Sequence, residues 1–177
     1  MNYASIKRMD VANGPGVRMS LFVSGCTHYC KNCFNQEAWD FDYGEPFTEK
    51  EIEKIVSYVS GSYVSGLTIL GGEPMEPQNQ EGILPLLRRM KEVCPEKSIW
   101  IYTGYDFEKD ILGRMAEELP YTKEILSYVD VMVDGEFIQE LYHVSLRFKG
   151  SENQRIIMVQ DSLREGKVVL WDGERQK

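Results

Sequence analysis

Four times along this chain a short apolar run of strand length gives way to a loop that carries glycine or cysteine. The runs are 19–24 (MSLFVS), 66–70 (GLTIL), 98–102 (SIWIY) and 129–133 (VDVMV), and the loops after them contain Gly25-Cys26, Gly71-Gly72, Thr103-Gly104 and Asp134-Gly135. Helix-like segments separate the runs. Alternating strand and helix signals specify an α/β fold, a mostly parallel sheet with crossover helices. In such a sheet a ligand sits at the carboxyl ends of the strands. The four loops are therefore expected to converge on one site.

Residues 1–18 read as mostly irregular, with Asn13-Gly14-Pro15-Gly16 a strong turn signal. Residues 40–46 are polar and aromatic with a Gly-Glu-Pro break. Thr48, with Glu51 three positions on, forms a capping box for a helix reaching about residue 59. A helix over 79–93 carries Ile83, Leu84, Leu87 and Met90 at helical spacing, and Pro95 closes it. Further helices are expected over 107–118 and 122–128. A fifth strand is expected over 155–159 after a polar loop, a small extra strand over 167–171, and mobility at the last residues.

The 177 residues, 42% hydrophobic, read as one domain able to fold without staples, with its core over about 10–160 and a tail over 161–177. A net charge of −8 points away from nucleic acid or an anionic membrane surface as the main partner. With no apolar run near twenty residues and no signal-peptide core, the cytoplasm is the expected compartment.

There, closely spaced cysteines serve more often as ligands or catalysts than as disulfide partners. Cys26, Cys30 and Cys33 stand at C-x3-C-x2-C spacing, and the only other cysteine, Cys94, is about sixty positions away. Three thiols with His28 could make a zinc knuckle, although structural zinc sites usually build from two separated ligand pairs. A disulfide with a spare thiol also remains open. A cubane iron-sulfur cluster fits best, because three thiolates leave one of its four irons open to a chelating small molecule. His28 then reads as a loop residue packed beside the cluster. Gly71-Gly72-Glu73-Pro74 has a matching use. Its backbone can approach a ligand closely, and its carbonyls and the Glu73 carboxylate can accept hydrogen bonds from an ammonium group. The plain alternative for Glu73 is a solvated turn carboxylate.

Cys-x3-Cys-x2-Cys followed by Gly-Gly-Glu-Pro resembles the radical S-adenosylmethionine superfamily. Asn13-Gly14-Pro15-Gly16-x-Arg18, Leu21 to Cys26, Trp39 with Phe41 and Gly44, Ile101 to Tyr105, Val133 to Phe137, and Gly150-Ser151-x-Asn153-Gln154 narrow the resemblance. Together they are similar to the activating proteins of anaerobic (class III) ribonucleoside-triphosphate reductase, over about 10–155. The resemblance implies a partial (βα) barrel and one 4Fe-4S cluster held by Cys26, Cys30 and Cys33, whose open iron chelates S-adenosylmethionine. Gly71, Gly72 and Glu73 would face the cofactor's amino group, with Thr103, Asp134 and Asn153 completing the pocket. One departure is Asn32, where the wider superfamily commonly has an aromatic residue; the adenine contact is assigned to backbone around Asn32, Cys33 and Phe34.

The implied reaction is reductive cleavage of S-adenosylmethionine to methionine and a 5'-deoxyadenosyl radical, which removes a glycine α-hydrogen from the reductase large chain. A reduced flavodoxin or ferredoxin-type protein would donate the electron, and the resemblance admits a homodimer or a heterotetramer with the reductase. Arg18, Trp39, Phe41 and Lys149 are candidates for partner contact, and burial in the protein's own core explains the two aromatics equally well. Other targets stay open, such as pyruvate formate-lyase or a small organic molecule, and so does a zinc-binding or electron-carrying module without chemistry of its own.

Overall fold

The structure, a computed structural model, describes residues 1–173. Seven strands form one mixed sheet in the order β3-β1-β2-β4-β5-β6-β7. Its centre is parallel: β2 (Val17–Val23), β4 (Val64–Gly71), β5 (Ser98–Tyr102) and β6 (Val131–Asp134) run side by side in one direction. β1 (Asn2–Asp10), β3 (Glu45–Pro46) and β7 (Arg155–Met158) add antiparallel margins. The crossovers carry α1 (Glu49–Val59), α2 (Pro77–Val93), and a wide-turn helix Phe107–Met115 that α3 (Ala116–Glu118) and α4 (Thr122–Tyr128) follow. α1 opens on the expected capping box, with the Thr48 and Glu51 side chains each bonded to the other's backbone. The wide helix starts where the Asp106 carboxylate accepts from Glu108 N and Lys109 N, and Ile111 N reaches back five residues to Asp106 O.

β1 corrects the expectation that residues 1–18 are irregular. It sits between β3 and β2, and Lys7, Arg8 and Met9 are exposed, so no apolar run marks it. Pairing with β2 holds it, with an irregularity between Lys7 and Asp10 where Met9 takes a φ of 55°. The extra strand expected at 167–171 is a single bridge, Leu170 to Ile157, and α5 (Val159–Glu165) precedes it. The mobility expected of the last residues concerns 174–177, outside the described residues. Among the described residues no helix is long and apolar enough to cross a membrane.

The two faces of the sheet differ in chemistry. One presents Met19, Leu21, Val23, Leu67, Ile69, Ile99, Ile101 and Met132 to the helices and forms the main core. Each such side chain contributes roughly 1.5–3 kcal/mol by leaving water. The other face carries buried polar groups: Arg18, Ser20, Thr68 and Ser98 beside Trp100.

Arg18, read as a partner contact, is instead fully buried. Its Nε donates to Thr68 Oγ1 at 2.7 Å, Nη1 to Ser98 Oγ at 3.0 Å, and Nη2 to Leu67 O at 2.8 Å and Ser98 O at 3.0 Å. The guanidinium lies 5.4 Å from the Trp100 ring centroid. Burial lowers its pKa to about 10, still charged at neutral pH. Gly14 lies against this side chain, because a Cβ there would fall 2.7 Å from Arg18 Cδ. Thr68 Oγ1 donates on to Asn13 O at 2.7 Å, so the Asn13-to-Gly16 turn is pinned beneath the sheet.

Arg18→Ala leaves two strand carbonyls without these donors. It is expected to lower the unfolding free energy by about 3–5 kcal/mol, seen as a reduced urea midpoint at unchanged slope; a loss under about 1 kcal/mol would contradict the assigned role. Asp10 anchors the same turn. Burial raises its pKa, but hydrogen bonds from Ser20 Oγ, Asn13 Nδ2 and Ala12 N outweigh that and hold it below the usual carboxylate range. Its stabilisation is therefore complete above the ordinary carboxylate pKa and lost as pH falls through the lower folded value. In acid titrations of stability Asp10→Asn should remove that part of the slope, and an unchanged slope would refute it.

Candidate metal centre and cofactor pocket

β2 delivers the chain to Ser24 and Gly25 at the carboxyl edge of the sheet, and Cys26 follows at once. Gly25 has a φ of 95°, and a Cβ on it would lie 2.2 Å from the Phe41 ring. The loop is tied by Gly25 N to Ala38 O at 2.8 Å and Cys26 N to Trp39 O at 3.1 Å. It turns through two left-handed residues, Tyr29 (φ 52°) and Asn32 (φ 59°), between which Cys30 lies.

The loops leaving β2, β4, β5 and β6 meet at one cavity of about 280 Å³. Cys26, His28, Cys30, Cys33 and Phe34 line it from the first, Gly71, Gly72 and Glu73 from the second, Thr103 and Gly104 from the third, and Gly135 and Phe137 from the fourth. Trp39 lines it beside the cysteine loop. It is further bounded by Asn13, Tyr102, Leu146, Phe148 and Gly150.

Glu73 holds three of these loops together. Buried at 1% exposure, it is no solvated turn carboxylate. Oε1 accepts from Met75 N at 2.8 Å, and Oε2 accepts from Gly104 N at 2.7 Å and lies 3.0 Å from His28 Nε2. The other ring nitrogen of His28 is 3.2 Å from Glu136 Oε1, and its ring meets Tyr105 edge-on at 4.5 Å. Burial alone would lower the His28 pKa; the two carboxylates outweigh it and raise the value. Glu76, buried at the start of α2, accepts from Thr27 N at 2.9 Å and from the Thr27 hydroxyl. Asn79 Nδ2 donates to Ser24 O and Glu73 O, both at 2.9 Å.

Of the residues expected in the pocket, Cys26, Cys30, Cys33, Phe34, Gly71, Gly72, Glu73 and Thr103 come together around the cavity; Asn32, Asp134 and Asn153 do not line it. Asn32 is exposed in its turn. Asp134 is buried, accepting from Phe107 N at 2.9 Å and pairing with Arg155. Asn153 donates to Glu136 O at 2.9 Å. From those two segments Gly135 and Gln154 reach the cavity instead, and Gln154 joins them: its Nε2 donates to Gly135 O at 2.8 Å and its Oε1 accepts from Gly150 N at 2.7 Å. Among the residues first read as partner contacts, Phe41 packs on Gly25, while Lys149 lines the cavity with its amine donating to Glu152 O and Gln154 O. Sequence reasoning missed Glu76, Asn79 and Gln154. Of these, only Gln154 lay in a run already singled out.

The thiols suit an iron-sulfur cluster. None is in a disulfide; Asn35 N donates to Cys33 Sγ at 3.5 Å, and the backbone N–H groups of His28 and Phe137 act to lower the Cys26 and Cys30 pKa values against burial. N–H groups aimed at sulfur are how a protein stabilises and tunes cluster thiolates. Burial, with Glu73, Cys30 and Glu76 adding to it, pushes the Cys26 thiol up to about 12, and burial likewise raises Cys30. Binding must therefore displace protons from these thiols. Among the described residues no three or more His, Cys, Asp or Glu side chains gather as a single metal ion requires. A cluster spreads its ligands over separate irons and does not impose that convergence. Cys94 lies in the main core with its sulfur 3.9 Å from Val56 O.

A family profile described as a 4Fe-4S single cluster domain matches residues 12–157. The chain is 42% identical over 158 residues to a Vibrio cholerae protein, covering 88% of this chain and 97% of that one. It is 44% identical over 156 residues to a protein of Enterobacteria phage T4, covering 88% and 93%, and 37% identical over 156 residues to one of Escherichia coli K12, covering 87% and 96%. All three relatives are named anaerobic ribonucleoside-triphosphate reductase-activating protein. With likeness of this extent over most of both chains, the chain belongs to the family of anaerobic ribonucleoside-triphosphate reductase-activating proteins and contains a 4Fe-4S single cluster domain.

Proposed function

We propose that this protein activates an anaerobic ribonucleoside-triphosphate reductase by generating a glycyl radical on it, as a one-domain enzyme of the radical S-adenosylmethionine type with a partial (βα) barrel. The observation that carries the reading is the shared cavity. Three thiols outside any disulfide, one of them accepting from Asn35 N, line the same space as the Gly71-Gly72 backbone. Cys26, Cys30 and Cys33 would hold the cluster, and three ligands would leave it able to bind S-adenosylmethionine. When bound, the cluster supplies the electron that cleaves the cofactor's carbon–sulfur bond, giving methionine and a 5'-deoxyadenosyl radical.

The chain's own residues bind and orient. Gly71 takes a φ of 109°, and at Gly72 a Cβ would fall 2.6 Å from Gly25 O; only glycine lets this backbone pack so close to the cysteine loop. Glu73 is occupied by Met75 N, Gly104 N and His28, so its main contribution is to hold the loops, and carbonyls of the Gly71 loop take most of the ammonium contact. Glu73, the one carboxylate among the lining residues, favours a cationic sulfonium ligand. Phe34, 81% exposed at the mouth, covers the adenine side with backbone near Asn32 and Cys33. A reduced flavodoxin or ferredoxin-type protein supplies the electron, and the reductase large chain supplies the hydrogen atom.

Protein reconstituted without oxygen and mixed with S-adenosylmethionine, a reductant and the reductase is expected to give a glycyl radical doublet by electron paramagnetic resonance; an intact cluster without that signal would refute the activase reading. Replacing Cys26, Cys30 or Cys33 with Ala should each abolish cofactor cleavage while Cys94→Ala leaves it near normal. Equal loss at Cys94 would overturn the three-ligand assignment.

A further inference from the structure

The chain continues past the family match, which ends at residue 157, into a segment for which the reaction has no use so far. α5 ends at Gly166, whose φ of 66° turns the chain back antiparallel along the outer edge of β7. Met158 N donates to Val169 O and Trp171 N to Ile156 O, both at 2.8 Å, and Val169 N donates to the Ser162 hydroxyl at 2.9 Å. This return brings Trp171 to the polar-face side of the sheet. There its ring lies 5.7 Å from Trp100 and 5.7 Å from Phe148, and Trp100 and Phe148 meet at 5.9 Å. The three rings and Val169 belong to a second, small core separate from the one under the helices.

Phe148 is also a wall of the cavity, with Leu146, Lys149 and Gly150 from the same segment. That segment lacks regular secondary structure, and Phe148 itself stands at a φ of 59°. Such a wall is among the first parts of a fold to move unless tertiary contacts hold it. Its other anchors include the Tyr102 hydroxyl on Phe148 O at 2.8 Å, the Lys149 amine on Glu152 O and Gln154 O, Gly150 N on Gln154 Oε1 at 2.7 Å and Leu146 N on His143 O at 3.1 Å. It bounds the cavity together with Asn13 and Tyr102.

We propose that Trp171 is a positioning residue for the cavity: by clamping Phe148 it fixes the wall at 146–150, against which the hydrogen-bearing segment of the reductase is received. The proposal rests on the activase reading and deepens it. Hydrogen-atom removal needs the reacting atoms within about 3–3.5 Å, and a displacement near 1 Å can cost on the order of a hundredfold. Packing Phe148 against Trp100 and Trp171 adds to the hydrogen bonds that hold the wall within that tolerance.

The test compares full-length wild type, Trp171→Ala and Trp171→Phe, each reconstituted with its cluster. In Trp171→Ala, amide hydrogen exchange over 146–150 should quicken while exchange over 26–33 stays as in wild type. The reductase concentration for half-maximal radical formation should rise about tenfold or more, with iron content and S-adenosylmethionine affinity unchanged, and Trp171→Phe should recover most of the difference. A parallel loss of iron, cofactor affinity and reductase use would reduce Trp171 to general packing, and wild-type exchange over 146–150 would remove the clamp. If the wild-type protein forms no radical on the reductase, the activase reading fails, and the exchange comparison still decides whether Trp171 holds the wall.

Discussion

The site depends on one buried carboxylate. Glu73 follows β4, accepts from its own loop at Met75 N, from the loop after β5 at Gly104 N, and meets the cysteine loop at His28. Backbone bonds tie the loops in pairs, Glu73 N to Gly25 O at 2.8 Å and Gly135 N to Tyr105 O at 3.2 Å, and the Glu73 carboxylate adds the link between the cysteine loop and the loop after β5. A polar group at 1% exposure that gave up one of these partners would incur a desolvation cost of roughly 1–3 kcal/mol. The arrangement is thus cooperative: placing the cysteine loop also places the β5 loop. Glu76 and Asn79 repeat the device from the first turn of α2, gripping Thr27 and Ser24 at either side of Cys26.

The sheet beneath explains why the cavity can be polar and still stable. The helix-covered face carries the main apolar core, which frees the opposite face for Arg18, Thr68 and Ser98. Arg18 stitches β2 to β4 and β5 and supports the Asn13 turn that bounds the cavity from below. A charged group there is tolerable because hydrogen bonds and the Trp100 face replace its water. The motif Asn13-Gly14-Pro15-Gly16-x-Arg18 is therefore one construction, a turn and the side chain that carries it.

Much of this was legible because burial writes itself into the chain. The strand expected over 98–102 is β5 and the helix over 122–128 is α4, each an apolar or periodic run with clear breaks. β1 was not legible, since its charged residues face solvent and its order comes from pairing with β2. Arg18 looked like a surface charge because nothing local shows that four acceptors from distant strands will surround it. In the pocket, glycine and cysteine positions could be read from the backbone freedom and soft donors they supply. Asp134 and Asn153 could not be told from their neighbours Gly135 and Gln154, because an irregular loop has no period to say which side chain faces inward. The carboxylates at 73 and 76 sit three residues apart, yet only packing shows that one joins loops and the other fixes Thr27.

The central claim is that the cluster and S-adenosylmethionine meet in this one cavity. Its most direct test is electron paramagnetic resonance of the reduced cluster as S-adenosylmethionine is added with no reductase present. The expected result is a cofactor-dependent change in the cluster signal that saturates at one cofactor per cluster, with hyperfine coupling to nitrogen in amino-labelled S-adenosylmethionine. A cluster signal unaffected by saturating cofactor would contradict the account.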